Sequence, residues 1–402
     1  MELTIDEIIK LQSAQGDVIR KTPTVYSETF SKLTGSKVYL KKEFQQKTGS
    51  FKVRGAYAKI KSLSNDEKKN GVIAASAGNH AQGVAFASNL ENIKCTIVMP
   101  VAASPAKVAA TRSYGAEVIL EGANYDESWK KALEIEANTG GKIVHAFDDQ
   151  KITAAQGVIG LEILEDLDDV EEIYLPIGGG GLAAGVLRAI KTKKPGVKIV
   201  GVQSKSYPAM KNSVDTGKLQ TVTGHQTIAD GVAVRTPGEL TFKIVNELID
   251  DIVLVDDTQI IKAMFLLMER TKMVVEPAGA ISLAYLLEAR PSPNKKVVPI
   301  LTGGNVDMYL LGQIVAKGLA NMGRMLKIFV MLTDKPGALK ELVDEIASLS
   351  VNIVEVLHDR LSSNVAAGTA GVTLSLETED EKHAQKLIEH LKKRDIQFKI
   401  MT

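Results

Sequence analysis

Four short stretches hold the residues that could do chemistry. The first reads Lys47-Thr48-Gly49-Ser50-Phe51-Lys52-Val53-Arg54-Gly55-Ala56. Residues 48–51 read as a turn and residues 53–63 as a helix, which leaves Lys52 at a loop-to-helix junction. The positive end of a helix dipole disfavours an ammonium ion there, and an amine of lowered pKa suits a Schiff-base lysine. Alone the stretch says little. The chain carries 49 Lys plus Arg, and most such residues are solvated surface charges.

The second stretch is Leu175-Pro176-Ile177-Gly178-Gly179-Gly180-Gly181-Leu182. It runs from an apolar strand into a helix over residues 182–190. Successive backbone N–H groups at a helix N-terminus make an anion cradle, best suited to a phosphate. A tight-packing turn would use the same glycines. No Gly-Lys-Ser/Thr follows, which argues against a nucleoside-triphosphate loop. A dinucleotide site wants an acid at the end of the next strand, where this chain has Gln203. A single phosphate monoester is the better fit.

The third stretch, Ser76-Ala77-Gly78-Asn79-His80, also links a strand to a helix. Its N–H groups suit a carboxylate, and Asn79 offers a neutral amide. His80 reads as structural rather than as a general base. The fourth, Leu301-Thr302-Gly303-Gly304-Asn305, lies just past a strand. The Thr302 hydroxyl can donate to a ring nitrogen without protonating it, or serve as a turn cap. The six histidines show no metal-ligand spacing. There is no Gly-x-Ser-x-Gly elbow. Aromatics make up 5% of the chain, too few for a base-stacking surface.

These stretches need a scaffold that presents strand ends. Short apolar, β-branched segments are predicted as strands at residues 71–75, 95–99, 117–120, 142–145, 172–177, 198–202, 251–255 and 296–301, with helices between them. A further short strand is expected at residues 37–41. Strands apolar on both faces signal parallel sheets covered on both sides, with ligands at their carboxyl ends. The expected fold class is α/β, two doubly wound layers. A first helix over residues 4–15 opens with Thr4 and Glu7 spaced as a capping box. Near residue 322 the pattern becomes βαββαβ, a separate ferredoxin-like module. The expected domains are 1–320, with a smaller subdomain at roughly 48–150, and 326–402.

Bulk properties agree with a soluble enzyme-sized protein. At about 150 residues per domain, 402 residues imply two or three domains. Hydrophobic residues make up 45% and the net charge is +1, so no global field recruits nucleic acid or an anionic membrane. The lone Cys95 sits in an apolar strand as a small core residue. No secretory signal or membrane span is visible, and a cytoplasmic location is expected.

The lysine after Thr-Gly-Ser-Phe, the Ser-Ala-Gly-Asn-His turn and the four-glycine loop, in this order, resemble the fold-type II pyridoxal-phosphate enzymes. Within that group the wording resembles the threonine dehydratases (threonine ammonia-lyases). The terminal module, with Thr333-Asp334-Lys335-Pro336-Gly337-Ala338-Leu339 after its first strand, resembles an ACT domain. The resemblance implies pyridoxal 5'-phosphate as cofactor and Lys52 as the Schiff-base and catalytic lysine. It implies Asn79 at the cofactor's 3-hydroxyl, Gly178, Gly179, Gly180, Gly181 and Leu182 at its phosphate, and Thr302 at its pyridine nitrogen. Ser76, Ala77, Gly78, Asn79 and His80 would hold the substrate carboxylate. Asp334, Gly337, Ala338 and Leu339 would form a regulatory site for a small effector such as isoleucine, or the module would only mediate assembly.

The expected reaction is elimination of water from L-threonine to give 2-oxobutanoate and ammonia, with L-serine as a further substrate. The expected assembly is a homo-oligomer, dimer or tetramer, and the reaction would serve isoleucine biosynthesis or threonine breakdown. Two features, at three positions, depart from the serine racemase branch. Ala77 stands where that branch has a second serine, and Gln203 and Ala209 stand where it has metal-binding acids. Racemisation and a divalent metal are therefore disfavoured. The alternatives are a serine dehydratase and a non-catalytic amino-acid sensor.

Overall fold

The computed structural model describes residues 3–289, 291, 293–362 and 365–401. Met1, Glu2 and Thr402, at the outer limits of the expected domains, lie outside the described residues. The chain divides into two compact units, Met1–Asp307 and Met308–Thr402. The helix Met308–Asn321 therefore groups with the second unit, whereas the sequence reading attached it to the first.

In the first unit the strands are β1 (Thr24–Tyr26), β2 (Lys37–Lys41), β3 (Val72–Ala75), β4 (Cys95–Met99), β5 (Glu117–Leu120), β6 (Lys142–Ile143), β7 (Glu172–Pro176), β8 (Lys198–Ser204), β9 (Asp251–Val255) and β10 (Lys296–Pro299). They form a six-stranded sheet, β1-β2-β10-β7-β8-β9, and a four-stranded one, β5-β4-β3-β6. All pairings are parallel except β1 with β2. Strand β1 was not anticipated. It is a short edge strand whose Val25 and Tyr26 are exposed, so it lacks the two-sided apolar signal. β3, β4 and β7 are buried along their whole length, as parallel strands covered on both faces should be.

Three helices position the site. Lys52–Lys61 buries Val53, Ala56 and Ile60 among Val72, Ala74 and Ile97 of the smaller sheet. Gln150–Asp166 lies against it so closely that a Cβ on Gly55 would stand 2.5 Å from Gln156 Nε2. On its other side the same helix meets Gly181–Lys193, where a Cβ on Gly185 would fall 2.2 Å from the Thr153 carbonyl oxygen. One helix thus sets the spacing between the lysine helix and the glycine-loop helix.

A buried charge cluster ties these parts together. Arg54 pairs with Glu43 at 2.9 Å and with Glu162 at 2.7 Å, and Lys41 pairs with Glu162 at 2.6 Å. Two cations face two carboxylates, and Thr22 donates its hydroxyl to Glu43 and its carbonyl accepts from Lys41. The first helix, Ile5–Gln15, is capped as expected by Thr4, which accepts from the Glu7 N–H at 3.3 Å. The Glu7 carboxylate does not close the box. It accepts from Gln150 and Lys151 instead.

The second unit, after Met308–Asn321, runs β11 (Met325–Thr333), helix Ala338–Ala347, β12 (Asn352–Asp359), β13 (Thr369–Glu377), helix Glu381–Lys393 and β14 (Phe398–Met401). The sheet is antiparallel in the order β12-β13-β11-β14. Ile328, Val330, Val372 and Leu374 pack under Leu342, Ile346, Leu387 and Leu391 of the helices. His383 and His390 are half-buried and engaged. His383 Nε2 lies 2.9 Å from the Leu349 carbonyl and His390 Nε2 lies 2.7 Å from Glu345. Among the described residues no helix is long and apolar enough to cross a membrane.

Candidate active site

A cavity of about 850 Å³ opens at the carboxyl ends of the parallel strands of both sheets in the first unit. Every catalytic, cofactor and substrate residue expected from the sequence lines it: Lys52, the turn 76–80, the glycines 178–181, Leu182 and Thr302. Backbone pairing stitches the lysine turn to the threonine stretch. Phe51 N–H donates to the Thr302 carbonyl at 3.1 Å, and Gly304 N–H to the Gly49 carbonyl at 2.9 Å.

Lys52 Nζ donates to the Ala146 carbonyl oxygen at 2.8 Å. Its pKa is lowered to about 8 by burial, against the opposing charge of Glu276. The lowered value was expected from the helix dipole. Its main cause is loss of water around the amine, which disfavours the charged form. An amine near this value is partly neutral at physiological pH and can accept a proton.

The glycine loop is shaped by its neighbours. Gly180 has φ +99°, a left-handed conformation that favours glycine. A Cβ on Gly179 would stand 2.4 Å from the Phe147 ring. The Gly179 carbonyl accepts from Thr241 Oγ1 at 2.6 Å. Among the described residues no acceptor takes the N–H groups of residues 178–183, and the helix Gly181–Lys193 has no side-chain cap. That row of uncommitted donors at a helix N-terminus fits a phosphate group.

The turn at 76–80 is built in the same way. Ser76 Oγ accepts from Gly78 N–H at 3.2 Å, so this hydroxyl shapes the turn. The helix Asn79–Leu90 starts there without a side-chain cap. Burial, with Lys52 nearby, pushes the His80 imidazole down to about 3. Its ring is neutral, with Nε2 2.8 Å from the Val144 carbonyl. A base this weak takes up few protons at neutral pH, and a neutral ring offers a carboxylate no charge. His80 serves the turn through its backbone. Thr302 is buried, and its hydroxyl lies 3.5 Å from the Ala278 carbonyl, a contact at the limit of hydrogen bonding. It remains available to a ring nitrogen.

The sequence reading missed Glu276. This buried carboxyl accepts from Asn79 Nδ2 at 2.6 Å, and burial, with Asp230 adding, pushes its pKa up to about 7. A signal existed, since Glu276 is the one charge between Met273 and Leu287. Also missed was the segment 144–149. Its Val144 and Ala146 carbonyls hold His80 and Lys52. Phe147 defines the glycine loop, and Asp148 accepts from the Glu239 and Leu240 N–H groups at 3.0 Å each. Only its long-range contacts reveal that role. At the mouth, Lys107 pairs with Asp230 at 2.5 Å and Arg235 with Asp126 at 3.4 Å.

Gln203 is committed to structure. Its Oε1 accepts from Lys211 N–H at 2.8 Å, and among the described residues no group of three His, Cys, Asp or Glu could hold a metal ion. In the second unit, Asp334 pairs with Arg360 at 3.0 Å. Gly337, at φ +93°, caps the helix that begins at Ala338, and Leu339 packs on that unit's core.

A family model described as "Pyridoxal-phosphate dependent enzyme" matches residues 16–303. The chain is 46% identical over 385 residues to a protein of Thermotoga maritima named "L-threonine ammonia-lyase", covering 96% of each. It is 44% identical to "L-threonine dehydratase catabolic TdcB" of Escherichia coli K12, across 78% of this chain and 96% of that one. Among solved structures, the processed form of threonine deaminase isoform 2 from Solanum lycopersicum superposes with TM-score 0.74 at 36% identity, covering 78% of this chain and 87% of that chain.

Proposed function

This chain belongs to the pyridoxal-phosphate-dependent enzymes, and from that premise we infer that it is an L-threonine ammonia-lyase. It converts L-threonine to 2-oxobutanoate and ammonia. Its cofactor is pyridoxal 5'-phosphate. The observation that carries the reading is the meeting, in one cavity, of a desolvated lysine amine and a row of unclaimed N–H donors.

Bound there, the cofactor withdraws electrons from the substrate's Cα and makes its proton acidic. The residues of this chain do the rest. The N–H groups of residues 178–183 would hold the phosphate, and the Thr302 hydroxyl would meet the ring nitrogen without charging it. Asn79 presents an N–H to the ring oxygen. The backbone of residues 76–80 holds the substrate carboxylate. Lys52 would anchor the cofactor covalently, and its amine, of lowered pKa, would accept the Cα proton of the substrate. In the structure that amine donates to the Ala146 carbonyl. The β-hydroxyl would leave as water, its added proton balancing the one Lys52 takes from Cα, and a second water would release ammonia from the product.

L-Serine is a second substrate, because one methyl group in a pocket is worth only ~1–3 kcal/mol of discrimination. Racemisation is disfavoured, since Ala77 brings no acid to the substrate turn. The second unit serves as an ACT regulatory domain in a homo-oligomer, with a small effector such as isoleucine near Asp334, Gly337, Ala338 and Leu339. Its βαββαβ order supports this.

The test is 2-oxo acid formation by the purified protein given L-threonine or L-serine, with and without isoleucine, beside Lys52→Ala. Rapid 2-oxobutanoate formation that the variant abolishes supports the reading. Pyruvate from serine with little turnover of threonine moves the assignment to a serine dehydratase. A cofactor-loaded protein with no product from either substrate sinks it.

A further inference from the structure

We propose that Asn305 is a positioning residue that fixes which way round the Asn79 amide faces the cofactor, with Glu276 as its second clamp. The proposal rests on the reading of this cavity as the pyridoxal-phosphate site.

An amide side chain has two ends of similar size and opposite function. Which end meets a ligand is decided by neighbours whose own roles are fixed. Here the sequence of contacts starts from a backbone carbonyl, which can only accept. Asn305 Nδ2 donates to the Thr48 carbonyl at 2.8 Å, so the amine end of Asn305 is identified. The same NH₂ group reaches Asn79 at 2.7 Å, and the atom it meets must be Oδ1. Asn79 Nδ2 is thereby turned toward Glu276 Oε1, 2.6 Å away. One N–H of Asn79 then has no acceptor among the described residues, and Asn79 lines the cavity.

The packing leaves this arrangement little slack. A Cβ on Gly49 would fall 2.5 Å from Asn305 Oδ1. A Cβ on Gly303 would fall 2.1 Å from Glu276 Oε1 and 3.1 Å from Asn79 Nδ2. Two glycines therefore make room for the two clamps at close range. The sense of the amide matters because a ring oxygen bearing negative charge is stabilised by a fixed N–H and repelled by a carbonyl oxygen. Without Asn305 only Glu276 holds the Asn79 amide, and a carboxyl that takes up a proton can donate as well as accept, so the amide can turn its carbonyl to the cofactor.

The test follows loading with pyridoxal phosphate and the absorbance of the bound cofactor as pH is varied. It uses the unmodified protein, Asn305→Leu, Asn79→Ala and the double variant. Asn305→Leu should raise the concentration for half-loading roughly tenfold, as for loss of a hydrogen bond to a charged group. It should shift the pH dependence of the absorbance in the same direction as Asn79→Ala. In the double variant nothing should change beyond the effect of Asn79→Ala, because residues acting through one another are not additive. Asn305→Asp keeps the native size, can only accept, and should weaken loading in the same way even if the leucine variant does not fold. Effects that multiply in the double variant overturn the proposal, because Asn305 then acts only through the Thr48 turn. So does an Asn305→Asp protein that loads and absorbs like the unmodified one. An unmodified protein with no bound-cofactor absorbance fails at the cofactor reading itself, and the proposal falls with it.

Discussion

Lys52 and Glu276 sit in one cavity with pKa values moved toward each other by the same cause, burial. In the cofactor-free chain Lys52 should react with an amine-acylating reagent half-maximally near pH 8, far below the ordinary lysine value of 10.5. Mapping the modified residues by mass spectrometry against pH checks this. A Lys52 that reacts like the surface lysines refutes the desolvated setting. Glu276 works in the opposite sense. Its folded pKa is raised from 4.5 to about 7, so the folded chain binds the proton more tightly than the unfolded one between these values. Folding stability therefore falls as pH rises through this window, and the full penalty stands above it. The neutral Glu276→Gln removes that penalty and can still accept from Asn79. The cofactor-free variant should match the unmodified protein in unfolding free energy, read from urea titrations, below pH 4.5 and exceed it above pH 7, by a few kcal/mol at most. A constant offset across pH would assign the effect to packing. At this scale the sequence was informative where a residue type has one use, as with Lys52, Asn79 and the glycines. It was silent on the role of Asn305, which depends on partners far along the chain, and marked Glu276 only as a lone charge in an apolar run.

The three site turns end parallel strands, and their chemistry depends on helices pressed close together. Gly179→Ala places a methyl 2.4 Å from the Phe147 ring. Overpacking of this kind costs about 1–3 kcal/mol. It should appear as weaker cofactor loading with the fold intact by circular dichroism, and Phe147→Leu should relieve it in the double variant. Arg54→Met tests the buried cluster. It leaves Glu43 and Glu162 facing each other without their shared cation, and breaking a buried pair costs about 3–5 kcal/mol. The urea midpoint should fall accordingly. A midpoint within error of the unmodified protein would mean the cluster contributes nothing net. Most strands and helices were legible because apolar runs and glycine turns punctuate them. Strand β1 was not, because a three-residue edge strand with exposed Val25 and Tyr26 has no periodicity to read. The close packing of Gly55 and Gly185 on the helix Gln150–Asp166 was equally hidden, since a glycine inside a helix looks the same whatever lies opposite.

The division at residues 307 and 308 separates a unit that contains every lining residue of the cavity from one that contains none. The family match, residues 16–303, lies wholly in the first. The Escherichia coli relative is spanned over 96% of its own length by 78% of this chain, so the unmatched remainder is on this chain's side. Each unit also has its own buried core, one around Ile173, Leu175 and Val186 and another around Ile328, Val330 and Leu374. The second unit therefore contributes no residue to the lining of the cavity. Ending the chain after Asp307 should give a folded protein that loads cofactor and turns over L-threonine within a few-fold of the full chain. Any response to isoleucine should be gone, because an effector changes a rate only through a state it binds preferentially. A truncated protein that still responds would place the effector site in the first unit. One that is folded and cofactor-loaded but inert would make the second unit part of the catalytic assembly.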